Sequence, residues 1–214
     1  MILFRLPVGF LSVLVAAAGQ TSLPELKVEA TDGGSALRIR NGAAQPLTAC
    51  LIELVGYPGS SYAFYQEGVG GRTIALGAEE RIAITNMTVG AAPEYVKMQA
   101  ALYGDGTSAG SPEKVAQLIG LRKTTLGTTR ELIARIEKSK GGGKAALVEG
   151  LRQWADSIPQ PAKRERGTPA AVARSAERDL ITATAERLDR SAVGEVLAGL
   201  AVSERALAAS KPGL

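Results

Sequence analysis

The chain predicts a segregated α+β protein, an N-terminal antiparallel β-sandwich followed by a C-terminal α-helical hairpin or small bundle. Three observations carry that expectation. Apolar side chains recur with a period of two up to Tyr103 and with a period near three and a half from Ser111 onward. The change falls at Gly104-Asp105-Gly106-Thr107 and Ala109-Gly110-Ser111-Pro112, a run of turn formers ending in a helix start. Composition shifts at the same place: Tyr57, Tyr62, Phe64, Tyr65, Tyr95 and Tyr103 precede Gly104, whereas Trp154 is the one aromatic after it. Residues 19–110 carry 6 Lys+Arg against 9 Asp+Glu, and residues 111–214 carry 18 against 12. A mildly acidic part is therefore joined to a basic one, and at 214 residues two small domains are the expected division.

Residues 1–20 contain Arg5, an apolar run over 6–18 and the triplet Ala16-Ala17-Ala18, the layout of a secretory signal peptide cut after Ala18. The apolar run is about 13 residues, short of the roughly 20 that span a bilayer. The expected location is secreted or periplasmic, with an uncleaved N-terminal membrane anchor as the alternative. No cysteine follows the run at the cleavage point, so a lipoprotein anchor is not expected. No integral membrane span is expected after cleavage, and outside the cytoplasm nucleic acid is not an expected partner.

Strands are expected over 26–30, 37–40, 47–57, 62–66, 72–76, 80–85 and 96–103, within a domain spanning 22–108. Residues 37–40 place Leu37 and Ile39 on one face and two arginines on the other, as a half-buried antiparallel strand requires. Residues 47–57 are apolar on both faces, with Leu47, Ala49, Leu51 and Val55 on one and Cys50, Ile52 and Leu54 on the other. Such a strand is either covered on its outer face or part of a binding surface. In 96–103, alternation groups Val96, Met98, Ala100 and Leu102 as the inward set and Lys97, Gln99, Ala101 and Tyr103 as the outward one. The Gly-rich turn after Tyr103 is expected to release the chain directly into the first helix.

The segments Leu37-Arg38-Ile39-Arg40-Asn41, Gln45-Pro46-Leu47-Thr48, and Leu76-Gly77 before Glu80-Arg81-Ile82 resemble the immunoglobulin-like sandwich domains of exported bacterial proteins. Those domains end one strand on Asn, open the next after Pro and place a Gly turn before a later strand. The resemblance covers about 85 residues, lacks the antibody-type Cys, Trp, Cys core, and implies an immunoglobulin-like fold with a role in adhesion or assembly. It carries over no catalytic residue.

The helical region is expected over 111–210, with helices at about 112–139, 144–158 and 169–209 and room for a break near 190. Ser111-Pro112-Glu113 and Thr168-Pro169 are helix starts, with a hydroxyl N-cap and proline at the first helical position. Val115, Ile119, Arg122, Leu126, Thr129, Ile133 and Ile136 step alternately by four and three, a pairing seam with two polar interruptions. Leu147, Leu151, Trp154 and Ile158 form a second stripe, and Gly141-Gly142-Gly143 and Pro159-Gln160-Pro161 separate the helices. With so few large side chains, these helices are expected to pack on the sandwich or on a partner.

The chain contains no histidine, which removes Ser-His-Asp and Cys-His catalysis and histidine metal ligation. Cys50 is the single cysteine, so no intrachain disulfide forms, and its apolar strand points to a buried thiol. Gly141-Gly142-Gly143-Lys144 lacks the Gly five positions ahead and the following Ser or Thr of a phosphate-binding loop, and Gly68-Val69-Gly70-Gly71 lacks dinucleotide spacing. Asp105 is read as a turn residue, 163–166 as a solvated basic loop able to make weak contact with an anionic envelope polymer, and Asn86-Met87-Thr88 as a glycan acceptor only in a glycosylating host. No catalytic residue, cofactor or metal site is expected. The candidate interaction surface comprises Tyr57, Tyr62, Tyr65, Tyr103, Ile52 and Leu54, since tyrosine offers large contact area at low entropic cost. The leading expectation is an exported, non-enzymatic interaction or scaffolding protein, with a protein partner or self-association through its helices. The alternative is a carboxylate-dependent hydrolase of an envelope or extracellular glycan, drawing on Glu53, Glu67, Glu94 and Asp105.

Overall fold

The computed structural model describes residues 22–31, 34–54, 61–65, 77, 79–84, 96–165 and 167–211. The expected signal peptide, the 72–76 strand, the Gly68-Gly71 loop, the 86–88 acceptor, Tyr57, Glu67 and Glu94 lie outside them. The described chain is α+β: two antiparallel sheets followed by helices. One sheet joins β1 (Glu25–Thr31), β2 (Gly34–Arg40) and β5 (Glu79–Ile84) in the order β1-β2-β5. The other joins β3 (Leu47–Leu54), β4 (Ser61–Tyr65), β6 (Val96–Tyr103) and β7 (Ser108–Gly110) in the order β4-β3-β6-β7. In the first sheet Leu37 and Ile39 are fully buried, while Arg38 pairs with Glu29 at 3.0 Å and Arg40 with Glu25 at 3.8 Å on the other face. The alternation of β2 thus acts as its sequence requires.

The second sheet departs from simple alternation twice. Leu47 pairs with Tyr103 but Ala49 with Leu102, so Thr48 is an extra residue on β3; Leu51 pairs with Ala100 but Ile52 with Met98, so Gln99 is an extra residue on β6. Each insertion exchanges the two faces beyond it. One buried cluster therefore gathers Leu47, Cys50, Ile52, Val96, Ala101 and Tyr103 with Leu37 and Ile39 of the first sheet. Ala49, Leu51, Ala100 and Leu102 occupy the opposite face. The expected inward set Val96, Met98, Ala100 and Leu102 is corrected by the Gln99 insertion, and Tyr103 faces the inter-sheet core because of it. Gly110 makes the β6 insertion sterically feasible. It has φ +110°, and a Cβ there would lie 2.2 Å from the Gln99 carbonyl oxygen.

The chain also does not pass directly from the turn into a helix. After Tyr103 it reverses, with Gly106 N–H donating to the Tyr103 carbonyl and Tyr103 N–H to the Thr107 carbonyl, both at 3.0 Å. It then adds β7 to β6 before Ser111 opens a helix, its Oγ accepting from Lys114 N–H at 3.4 Å.

That helix, α1 (Pro112–Ser139), is followed by α2 (Lys144–Ser157), α3 (Pro169–Arg190) and α4 (Val193–Ala209). Thr168 caps α3 by accepting from Ala171 N–H at 3.2 Å, ahead of Pro169. Extended Ser191 and Ala192 separate α3 from α4, close to the position 190 where the sequence leaves room for a break. Among the described residues no helix is long and apolar enough to cross a membrane.

α1 has 28 residues, about 42 Å at 1.5 Å per residue. Its first turns lie on the second sheet, where Leu118 is buried against Ala49, Leu51, Ala100 and Leu102 with Val115 and Ile119 beside it. Its last turns enter a different cluster: Leu132 and Ile136 pack with Leu147, Val148 and Leu151 of α2, Ile181, Ala185 and Leu188 of α3, and Val196 and Leu200 of α4. Arg130 pairs with Glu204 at 2.8 Å and Arg122 reaches Lys211, so α4 runs antiparallel to α1. Arg152 to Asp189 and Arg178 to Asp156 set α2 against α3 in the same sense.

Candidate functional site

The residues that sequence selects for a recognition surface separate into three groups. Tyr103 and Ile52 are fully buried, which removes both from any accessible surface. The physical cause is the pair of strand insertions together with the central place of β3: one of its faces meets the first sheet and the other is covered by α1. Tyr103 donates its hydroxyl to the Ser22 carbonyl at 2.6 Å, and burial pushes its pKa up to about 12. Tyr62 and Tyr65 lie on β4 opposite Ile52 and Ala49, and Leu54 ends β3 opposite Val96. In the described residues β4 is the edge of its sheet. Tyr57 lies outside the described residues.

Cys50 is buried between the sheets, and loss of hydration raises its thiol to about 12. At that value the thiolate needed for nucleophilic chemistry or metal binding does not form near neutrality. Glu53 is bound at 2.6 Å by Lys114 from the first turn of α1, with both side chains largely covered. Asp105 accepts from the Thr107 amide at 2.9 Å and the Thr107 hydroxyl at 2.7 Å, a side-chain turn on the surface that holds its carboxyl below the usual range. Two of the four carboxylates of the hydrolase alternative are thus engaged in packing or turn geometry, and the other two lie outside the described residues. Lys140–Gly142 form a single 3-10 turn between α1 and α2. Among the described residues no three of Cys, Asp and Glu gather into a metal-holding group.

Two polar features escape sequence reading. Arg122, an interruption of the α1 seam, is fully buried. Its Nη1 donates to the Lys211 carbonyl at 2.6 Å and its Nη2 to the Thr48 hydroxyl at 3.0 Å. Thr48, the extra residue of β3, in turn donates to the Leu102 carbonyl at 3.0 Å. One guanidinium therefore joins α1, the strand insertion and the end of α4. The available signal was an arginine at a seam position otherwise held by apolar residues; its partners, 74 and 89 residues away, left no local trace.

The second feature is a cleft of about 480 Å³ between the α2–α3 connection and α3, lined by Pro159, Gln160, Pro161, Arg174, Ser175, Arg178, Asp179 and Thr182. Arg174 pairs through Nη2 with Glu165 at 3.2 Å, while its Nε is buried without an acceptor. Arg178 reaches Asp156 at 3.4 Å. Asp179 is exposed as a residue, yet dehydration by the cleft walls raises its carboxyl pKa, with Arg178 acting in the opposite sense. Sequence could show the i, i+4 spacing of Arg174 and Arg178, but not which segment faces it.

Comparison with protein-family models, with curated proteins and with solved structures finds no match to this chain.

Proposed function

We propose that the protein is an exported, non-enzymatic interaction protein in which an immunoglobulin-like sandwich presents a binding edge and the helices brace it. The single observation that best supports this reading is the use made of α1. One end of the helix is packed on the second sheet and the other within the helical cluster, an arrangement that supports reading the two parts of the chain as one platform. The inter-sheet cluster supports the sandwich reading. So does Asn41, which ends β2 with its side chain bonded to the Gln45 carbonyl at 2.8 Å and the Ala43 amide at 3.0 Å, the turn role expected from the resemblance.

The partner is a protein, and its contact lies along β4. Among the described residues β4 is the edge strand of its sheet, a position that supports strand addition, and Tyr62 and Tyr65 lie on it. The helical seam favours internal packing over pairing between copies: Val115 and Ile119 meet the sheet, and Ile136 meets the other helices. Export rests on the residue 1–18 pattern. The test uses protein beginning at Gly19 with a photo-crosslinking side chain placed at Tyr62 or Tyr65. The expected result is a defined envelope protein captured from β4, not from Lys123 on α1, together with a monomer in light scattering. Capture from neither strand position would overturn the reading, as would cytoplasmic retention of the full-length chain.

A further inference from the structure

α4 is rich in apolar residues for a helix on the outside of a protein, and one of its faces is used inside. Val196, Leu200 and Leu207 are buried, and Val196 and Leu200 join the cluster formed with α1, α2 and α3. The opposite face carries Glu195, Ala198, Val202, Arg205 and Ala209, all exposed. They step by three, four, three and four, the spacing of a helix-pairing seam. Val202 is 49% exposed, and with Leu23 it is one of two large apolar side chains open to solvent among the described residues. The positions flanking the seam, Gly194, Gly199, Ala201, Ala206 and Ala208, carry a methyl group or no side chain. A second helix can therefore lie against this face with little to hold it away.

The seam is complementary to itself in one direction only. Ala198 and Val202 are equidistant from Leu200, and so are Glu195 and Arg205. Two copies of α4 related by a two-fold axis at Leu200 run antiparallel, so that each Ala198 faces a Val202 and each Glu195 an Arg205. A parallel pair would set Glu195 against Glu195 and Arg205 against Arg205. The antiparallel arrangement also brings opposite ends of the two helix dipoles side by side. Among the described residues neither Glu195 nor Arg205 is taken by an ion pair within the chain. Glu204 points away, bound to Arg130 at 2.8 Å, and at the adjoining end of α3 Asp189 is held by Arg152 and Glu186 by Arg190. Arg187 of α3 borders the face beside Gly199, one turn from Glu195, and Lys211 follows the helix, opposite the acid-bearing start of a facing copy.

We propose that α4 is a self-association surface whose partner is a second copy of this chain, docked antiparallel through Glu195, Ala198, Val202 and Arg205. One helix face of 17 residues covers less than the roughly 1,200–2,000 Å² of a stable interface, so the pair is weak, with a Kd on the order of 0.1 mM. The dilute protein of the β4 crosslinking test therefore stays monomeric, and the seam acts where copies are concentrated. This pairing does not rest on the β4 reading.

The experiment is sedimentation equilibrium of the chain from Gly19 between about 10 µM and about 1 mM. A monomer is expected at the low end and mostly dimer at the high end. Glu195→Arg and Arg205→Glu should each weaken association by about tenfold or more, because each change occurs twice in a two-fold pair. The double exchange, Glu195→Arg with Arg205→Glu in one chain, should restore it. Both residues are exposed, so circular dichroism and Tm should not change. Register is read by disulfide trapping, since Cys50 is buried and does not compete. A mixture of Ala198→Cys and Val202→Cys chains should crosslink at least about tenfold faster than either variant alone. A monomer at about 1 mM would overturn the proposal. So would single reversals that associate like the wild type, a double exchange that does not recover association, or a dimer lost on substitution of Tyr62 and not of Val202, which would assign the pairing to β4.

Discussion

The two ends of α1 solve different packing problems with similar side chains. At the sheet end, Leu118 sits over Ala49 and Ala100 as well as Leu51 and Leu102, and the two alanines let the helix approach the strands closely. At the bundle end, Leu132 and Ile136 meet mostly large residues, Leu147, Leu151, Ile181, Leu188 and Leu200, which interlock between curved surfaces. Between the two lies a polar waist of buried Arg122, Thr128 and Thr129. The difference teaches that a regular four-three repeat does not name its partner. The same period serves a flat sheet and a helical cluster, and the polar waist marks the handover.

Several substitutions break or sharpen that comparison. Arg122→Ala should have the largest effect, about 3–5 kcal/mol in urea denaturation, because it empties a buried volume and removes the donors to the Thr48 hydroxyl and the Lys211 carbonyl. Arg122→Lys should recover part of that loss, since one ammonium cannot reproduce the fork. Leu118→Ala and Ile136→Ala should each cost about 2–5 kcal/mol. Their hydrogen-exchange signatures should differ: Leu118→Ala lowers protection first in β3 and β6, Ile136→Ala first in α2 and α4. Identical loss across the chain in both variants would show that the ends of α1 do not act separately.

Alkaline pH sharpens the contrast from the sheet side. Cys50 and Tyr103 have folded values near 12, above their ordinary 9.0 and 10.0, so the unfolded chain releases both protons first. Stability contributed by the neutral forms is therefore complete below about pH 9 and lost as pH rises toward about 12, by several kcal/mol at most. Cys50→Ala and Tyr103→Phe should each flatten the fall of Tm with pH above 9, and the folded thiol should resist alkylation at pH 8. Failure of either variant to change the slope would place the alkaline transition elsewhere. The smallest effect belongs to Lys114→Met, about 1 kcal/mol, through the Glu53 pair at the start of α1. Its effect should also appear as faster exchange in β3.

Much of this architecture was legible along the chain. Leu37 and Ile39 alternate with arginines and are buried as their period requires, and Ser111-Pro112 and Thr168-Pro169 open helices through local hydroxyl caps. The immunoglobulin-like character and the export expected from the first 18 residues remain proposals. The interaction surface was less legible: Tyr103 and Ile52 are apolar enough for either a core or a recognition face, and their composition alone does not separate the two. The cleft facing α3 was not legible at all, because Pro159 and Arg174 meet only after the connection folds back.

What the sequence determined by itself is local in origin: the change of period near Gly104, the capped helix starts and the turn at Asn41, each set by contacts between residues a few positions apart. The tertiary structure alone decided which face of β3 and β6 turns inward. A single extra residue at Thr48 or Gln99 reverses the faces on either side of it, and its tolerance depends on distant groups, the Arg122 guanidinium over Thr48 and the missing side chain of Gly110 beside Gln99. Alternation is a two-residue rule, whereas the fit of an inserted residue is settled by whatever the rest of the chain packs against it.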